Sequence, residues 1–269
     1  MTQRYRMDIS YDGKRYKGWQ RLGPGDKAET VQGKIETALS RILDKSIEIE
    51  GAGRTDAGVH ALDQVATFST EARIETKSIL EELNFYLPED IAVQKLSLVY
   101  TGFHARYSAT SKTYQYRILN ASIPDPFLHR YALYLAQTLN VALMRKAATD
   151  FLGEHDFTAF TTAKSKKKSM VRKIEHIEIS TQDRPGGRDL QIRIKANGFL
   201  HNMARKMVGT LIEIGLGRVP ETRVKDMLES LDRSLSSELA PPQGLYLESV
   251  EYLAAEKLLK SRSEVTSDK

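Results

Sequence analysis

The chain is 269 residues long with no cysteine, and 40 Lys and Arg against 35 Asp and Glu leave a formal charge of +5. Its 41% hydrophobic, 8% aromatic and 28% charged residues are those of an ordinary globular protein. A chain of this length buries about three quarters of its unfolded surface, which excludes global disorder. The missing cysteines exclude disulfide scaffolds, thiolate zinc sites, iron–sulfur clusters and cysteine nucleophiles, and they suit a reducing, cytoplasmic setting. Met1 to Asp8 contain no apolar signal-like run, and no later stretch approaches about eighteen uninterrupted apolar residues. A soluble, unexported protein with no membrane association is expected.

Alternation from Arg4 to Tyr11 predicts a first strand, ended by the turn pair Asp12-Gly13. The loop Leu22-Gly23-Pro24-Gly25-Asp26 separates it from a helix with Thr30 as N-cap and Val31, Ile35, Ala38, Leu39 and Ile42 on one face. Ser46 to Glu50 and Val65 to Phe68 read as strands. Ile79, Leu80, Leu83 and Leu87 predict a helix that Pro88 terminates, and Ile91 to Tyr100 a closing strand. The second half repeats this grammar. It has strands over 114–119, 174–179, 190–194 and 245–252, a helix over 141–152 behind Asn140, and another over 200–214.

The expected fold is α+β: two similar α/β halves whose mixed, largely antiparallel sheets join side by side, with helices on one face and a central cleft. The halves are residues 1–105 and 106–254, with a polar tail over 255–269. Lys164, Lys166, Lys167, Lys168, Arg172 and Lys173 crowd one short segment. Such a run fits either a polyanion partner or a solvated surface loop.

Gly51-Ala52-Gly53-Arg54-Thr55-Asp56-Ala57-Gly58-Val59-His60-Ala61 concentrates glycines, an arginine, an aspartate and a histidine after a strand. It is no dinucleotide fingerprint, because Asp56 stands where the third glycine should be, and no Lys-Ser or Lys-Thr follows to make a Walker loop. No second carboxylate lies at ligand-like spacing and the six histidines form no metal motif. A glycosidase pair has no nominated second acid. What remains is one aspartate, working without metal or cofactor, whose ionised form a neighbouring Arg54 would favour. A turn whose polar residues only satisfy one another is the alternative.

The stretch from Gly51 to Ala61 resembles the defining motif of the tRNA pseudouridine synthase A family. Further matches run in order: Phe103-His104-Ala105-Arg106, Ser108 to Tyr116, Phe151 to Phe157, Asn197 to Gly209, and Gly244 to Leu247. The resemblance covers residues 4 to 253. It implies the pseudouridine synthase fold, with an RNA-binding cleft, and an isomerase that converts uridines of the tRNA anticodon stem-loop to pseudouridine without a cofactor. It also implies a homodimer. By the same resemblance Asp56 is the catalytic carboxylate, through attack on C1′ or proton removal at C2′, and Tyr114 stacks on the target base.

The resemblance also implies that Arg205 pairs with Asp56, and its position off the stripe of Met203, Met207 and Leu211 lets it edge a cleft. Arg54 would contact the everted nucleotide or its phosphate, and Leu245 would wall the uracil. His60, Arg106 and His201 are candidates for RNA-backbone contact or loop ordering. The lysine-rich run after Phe157 departs from the family pattern. The alternative function is a non-catalytic RNA-binding or tRNA-chaperone protein of the same fold.

Overall fold

A computed structural model of the protein describes residues 2–21, 23, 29–162 and 169–253. Its centre is a ten-stranded sheet. In chain order the main elements are β1 (Gln3–Tyr11), α1 (Val31–Ile42), β2 (Glu50–Gly51), β3 (His60–Thr70), α2 (Thr76–Tyr86), β4 (Ile91–Val99), β5 (Ala109–Ala121) and β6 (Leu133–Leu135). They continue with α3 (Val141–Ala148), β7 (Gly153–Asp156), β8 (Val171–Arg184), β9 (Gly187–Ala196), α4 (Met203–Gly215), α5 (Arg223–Ser230) and β10 (Leu245–Tyr252).

The alternation seen in the sequence sets the layers. Tyr5, Met7, Ile9 and Tyr11 on β1 are buried, while Arg4, Arg6, Asp8 and Ser10 between them stay half-exposed. The buried row shares one core with Val31, Ile35 and Leu39 of α1, Leu83 of α2, and Met207 and Leu211 of α4. Helices therefore cover one face of the sheet, as expected. The caps read from sequence are present: Thr30 Oγ1 accepts from the Gly33 amide at 3.2 Å and Asn140 Oδ1 from Leu143 at 3.1 Å.

Strand order is β4-β1-β3-β10-β5-β9-β8-β7, so β10 lies between β3 and β5. It runs parallel to β3 in the register Tyr246↔His60 and Leu247↔Ala61, and antiparallel to β5 with Leu245↔Tyr116 and Leu247↔Tyr114. This junction places the loop before β3 beside the middle of β5, far from it in sequence.

Several expected elements differ. Ser46–Glu50 is no strand beyond Glu50, although Ile47 and Ile49 are buried. The reason is that their amides are taken by α1 side chains, Ser40 Oγ at 2.9 Å and Glu36 Oε1 at 3.1 Å, instead of by a neighbouring strand. The third helix stops at Ala148 and passes into a 3₁₀ turn over Thr149–Phe151. α4 begins at Met203, not Leu200, because Asn202 adopts φ +62° and breaks the helical path. The short strands β6 and β7 and the helix α5 have no counterpart in the sequence reading. α5 buries only Val224 and Met227, too few apolar positions to stand out. Residues 164–168 of the basic run, 255–269 of the expected tail and most of the loop 22–26 lie outside the described residues.

Candidate active site

The loop carrying Asp56 is held by its backbone. Gln64 on β3 accepts from the Gly53 amide (3.3 Å) and donates to its carbonyl (2.8 Å), and the Trp19 amide donates to the Thr55 carbonyl (3.0 Å). The Thr55 hydroxyl meets the Tyr11 hydroxyl at 2.8 Å inside the core. Two glycines are sterically required. Gly18 has φ +96° and a Cβ there would lie 2.6 Å from the Thr55 carbonyl oxygen, while Gly58 turns the chain into β3 with φ +77°. A backbone fixed at this many points presents its carboxylate in one place.

That carboxylate faces a cavity of about 780 Å³, with its side chain 27% exposed and so open to a ligand. Asp56 Oδ2 accepts from Arg205 Nη1 at 3.1 Å, and Oδ1 lies 3.6 Å from His201 Nε2. Arg205 is itself anchored, donating through Nε to the Ala240 carbonyl at 2.8 Å and approaching Asn202 Oδ1 at 3.5 Å. The left-handed Asn202 thus both starts α4 and helps aim its guanidinium. Arg54, the sequence-local candidate for holding Asp56 ionised, is exposed and makes no ion pair with it. The guanidinium beside the carboxylate comes from α4, a correction that follows from the loop turning Arg54 outward into the cavity mouth.

Tyr114 and Leu245 also line the cavity, both buried. The Tyr114 ring packs perpendicular to Phe199 at 4.8 Å, an arrangement that fixes the ring against the cavity wall. Burial, reinforced by the nearby Tyr11 and Asp56, pushes the Tyr114 hydroxyl well above the ordinary phenol range, so it stays protonated at neutral pH. Arg106 and His201 stand at the cavity, exposed, with His201 Nδ1 bonded to the Thr162 hydroxyl at 2.8 Å.

His60 is different. Its partner Tyr246 alternates with Leu245 and Leu247, so the imidazole lies on the opposite sheet face, 2% exposed and stacked on Tyr246 at 4.8 Å. It is buried there and does not line the cavity. Nδ1 accepts from the Gly13 amide (3.2 Å) and Nε2 meets the Arg130 carbonyl (3.0 Å), as the neutral Nε2–H tautomer requires. Burial lowers its pKa below 6.5 and outweighs the opposite pull of the Asp12 carboxylate at 3.1 Å.

The unfolded chain therefore binds this proton more readily than the folded one, and stability is lost as pH falls below about 6.5. The melting temperature is expected to drop between about pH 7 and 5, and to drop less in His60→Asn. Equal slopes in the two proteins would contradict the assignment.

Lys112 and Arg172 line the same cavity; Lys112 was assigned no site role from the sequence, and Arg172 belongs to the basic run that fits either a polyanion partner or a solvated loop. The available signal was spacing: Lys112 is two residues before Tyr114 on one strand and so shares its face. Among the described residues no group of three or more His, Asp or Glu side chains is placed to hold a metal, and no helix is long and apolar enough to cross a membrane.

One carboxylate, held by a guanidinium and set beside an aromatic ring and an apolar wall, defines a site for acid–base or nucleophilic work on a flat heterocycle. A model described as tRNA pseudouridine synthase matches residues 8–108 and 147–253. The chain is 47% identical over 248 residues to tRNA pseudouridine synthase A 2 of Bacillus anthracis, covering 92% of this chain and 99% of that one. It is 51% identical over 248 residues to tRNA pseudouridine synthase A of Bacillus sp. (strain KSM-64), with the same coverage. Against tRNA pseudouridine synthase A of Thermoanaerobacter pseudethanolicus it is 41% identical over 244 residues, covering 91% and 97%. The chain belongs to the tRNA pseudouridine synthase family.

Proposed function

We propose that this protein is an isomerase that converts uridine to pseudouridine in the anticodon stem-loop of tRNA, with Asp56 as the catalytic group. The observation that carries the reading is the Asp56 carboxylate, open to the cavity at 27% exposure and bonded to Arg205 at 3.1 Å. The reaction breaks the N1–C1′ bond, turns the uracil, and rejoins it through C5 with loss of the C5 proton. Attack of the carboxylate on C1′ gives a sugar ester, and removal of the C2′ proton gives a glycal. Either route starts from ionised Asp56, which the bond from Arg205 Nη1 orients.

The uridine must leave its stack to reach that carboxylate. Tyr114 and Leu245, which line the cavity, offer the everted base a replacement for its lost neighbours, and the cavity of about 780 Å³ gives it room. Because the Tyr114 phenol is held protonated, it serves as a hydrogen-bond donor or proton relay. Tyr114→Phe keeps the ring and loses the hydroxyl, so kcat is expected to fall by about 10²-fold with KM little changed. Unchanged turnover would assign the residue to stacking alone.

The deciding assay is pseudouridine formation with protein far below the tRNA concentration. Multiple turnovers support the isomerase, and tight binding without product supports a non-catalytic RNA-binding protein. A homodimer acting in the cytoplasm belongs to the same reading, and a monomeric mass by light scattering would remove the dimer.

A further inference from the structure

The cavity contains three cations that the chemistry above does not use. Lys112 rises from β5, Arg172 from the start of β8, and Arg106 from the turn before β5, and all three line it. Lys112 Nζ donates to the Ala52 carbonyl at 2.6 Å, so it is fixed against the loop that carries Asp56. Arg172 Nη1 donates to the carbonyls of Ser169 (3.0 Å) and Val171 (2.6 Å). Arg106 leans over the Tyr107 ring at 5.7 Å. None of the three forms an ion pair with a carboxylate among the described residues. The acids of this cavity are otherwise engaged: Asp56 with Arg205 and His201, and Glu50 with Arg4 and His104.

We propose that Arg106, Lys112 and Arg172 form a phosphate-binding site that grips a backbone phosphodiester of the tRNA strand carrying the everted uridine. Like charges gathered without a counter-ion repel one another in the free protein, and an anion placed among them removes that repulsion. Two planar guanidinium groups and an ammonium offer the donors a phosphate oxygen set takes. Burial and the charges of Arg106 and Arg172 push Lys112 down to about 8, and burial and Arg106 lower Arg172, so the three cations stand close enough to feel one another. The site reads position and not base identity, because a phosphate carries no sequence.

This inference rests on tRNA being the substrate, and its test separates the two claims. Binding of tRNA is measured against salt for the full-length protein and for Arg106→Gln, Arg172→Gln and Arg172→Lys. Each Gln variant is expected to flatten the log affinity against log salt slope by about 0.7–0.9, the loss of one phosphate contact, while Arg172→Lys restores most of it. In Asp56→Asn protein, expected to hold tRNA without turnover, the Lys112 ammonium followed by NMR is expected to titrate higher once tRNA is bound.

Unchanged slopes, or a Lys112 that ignores tRNA, would overturn the site. Inorganic phosphate lifting Lys112 as far as tRNA does, with the slopes unchanged, would make it a small-anion site and overturn the tRNA assignment. If slopes and Lys112 behave as expected but the unmodified protein forms no pseudouridine, the site stands and the isomerase reading falls.

Discussion

Asp56→Asn is expected to abolish pseudouridine formation, by on the order of 10⁴-fold or more in single-turnover rate, while tRNA affinity stays within several-fold. The amide matches the carboxylate in shape, and its oxygen can still accept from Arg205 Nη1. The negative charge alone is removed, and both the ester and the glycal route begin with that charge. The surrounding loop should not move, since it is fixed through Gly53, Thr55 and Val59 backbone bonds that do not involve the Asp56 side chain. Rate and affinity measured on the same preparation decide the matter. Retained conversion would remove Asp56 from its role, and a large loss of binding would make it a recognition group.

Arg205→Met should produce the second-largest effect, a fall in kcat of about 10²–10³-fold. Arg205 donates at once to Asp56 and to the Ala240 carbonyl, so it fixes the carboxylate relative to the segment leading into β10. Methionine fills similar volume but leaves Asp56, among the described residues, with only the exposed His201 as a charged partner, 3.6 Å away. It also leaves the Ala240 carbonyl without that side-chain donor, which should cost about 1–3 kcal/mol of stability by denaturant titration. Arg205→Lys keeps a charge but has no planar fork to span both acceptors, so it should recover activity only in part. A methionine variant with unchanged kcat would show that the ion pair serves folding alone.

Local elements were legible where one residue and its near neighbours decide them. Alternation marked β1, the oxygen of Thr30 the start of α1, and Pro88 the end of α2. The Asp56 loop was legible through its resemblance to a family, which drew on a long unbroken motif and not on any single spacing. Legibility ended where a partner came from elsewhere in the chain. Ile47 and Ile49 have strand-like side chains, yet the acceptors of their amides sit on α1. His60 shares a motif with Asp56 but faces the other side of the sheet, because β10 pairs with β3 in a register that sends Tyr246 and His60 together away from the cavity.

The sequence by itself determined the composition class, the alternating order of strands and helices, and the residue to which the chemistry is assigned. The tertiary structure alone decided what that residue meets. Arg54 stands two positions from Asp56 and does not hold it, while Arg205, 149 positions away, does. Lys112, Arg106 and Arg172 became neighbours only when β10 closed the sheet and β8 folded back onto β9. Backbone preference and side-chain periodicity act over a few residues, whereas the side a residue faces and the charge it finds there are set by strand register across the whole sheet.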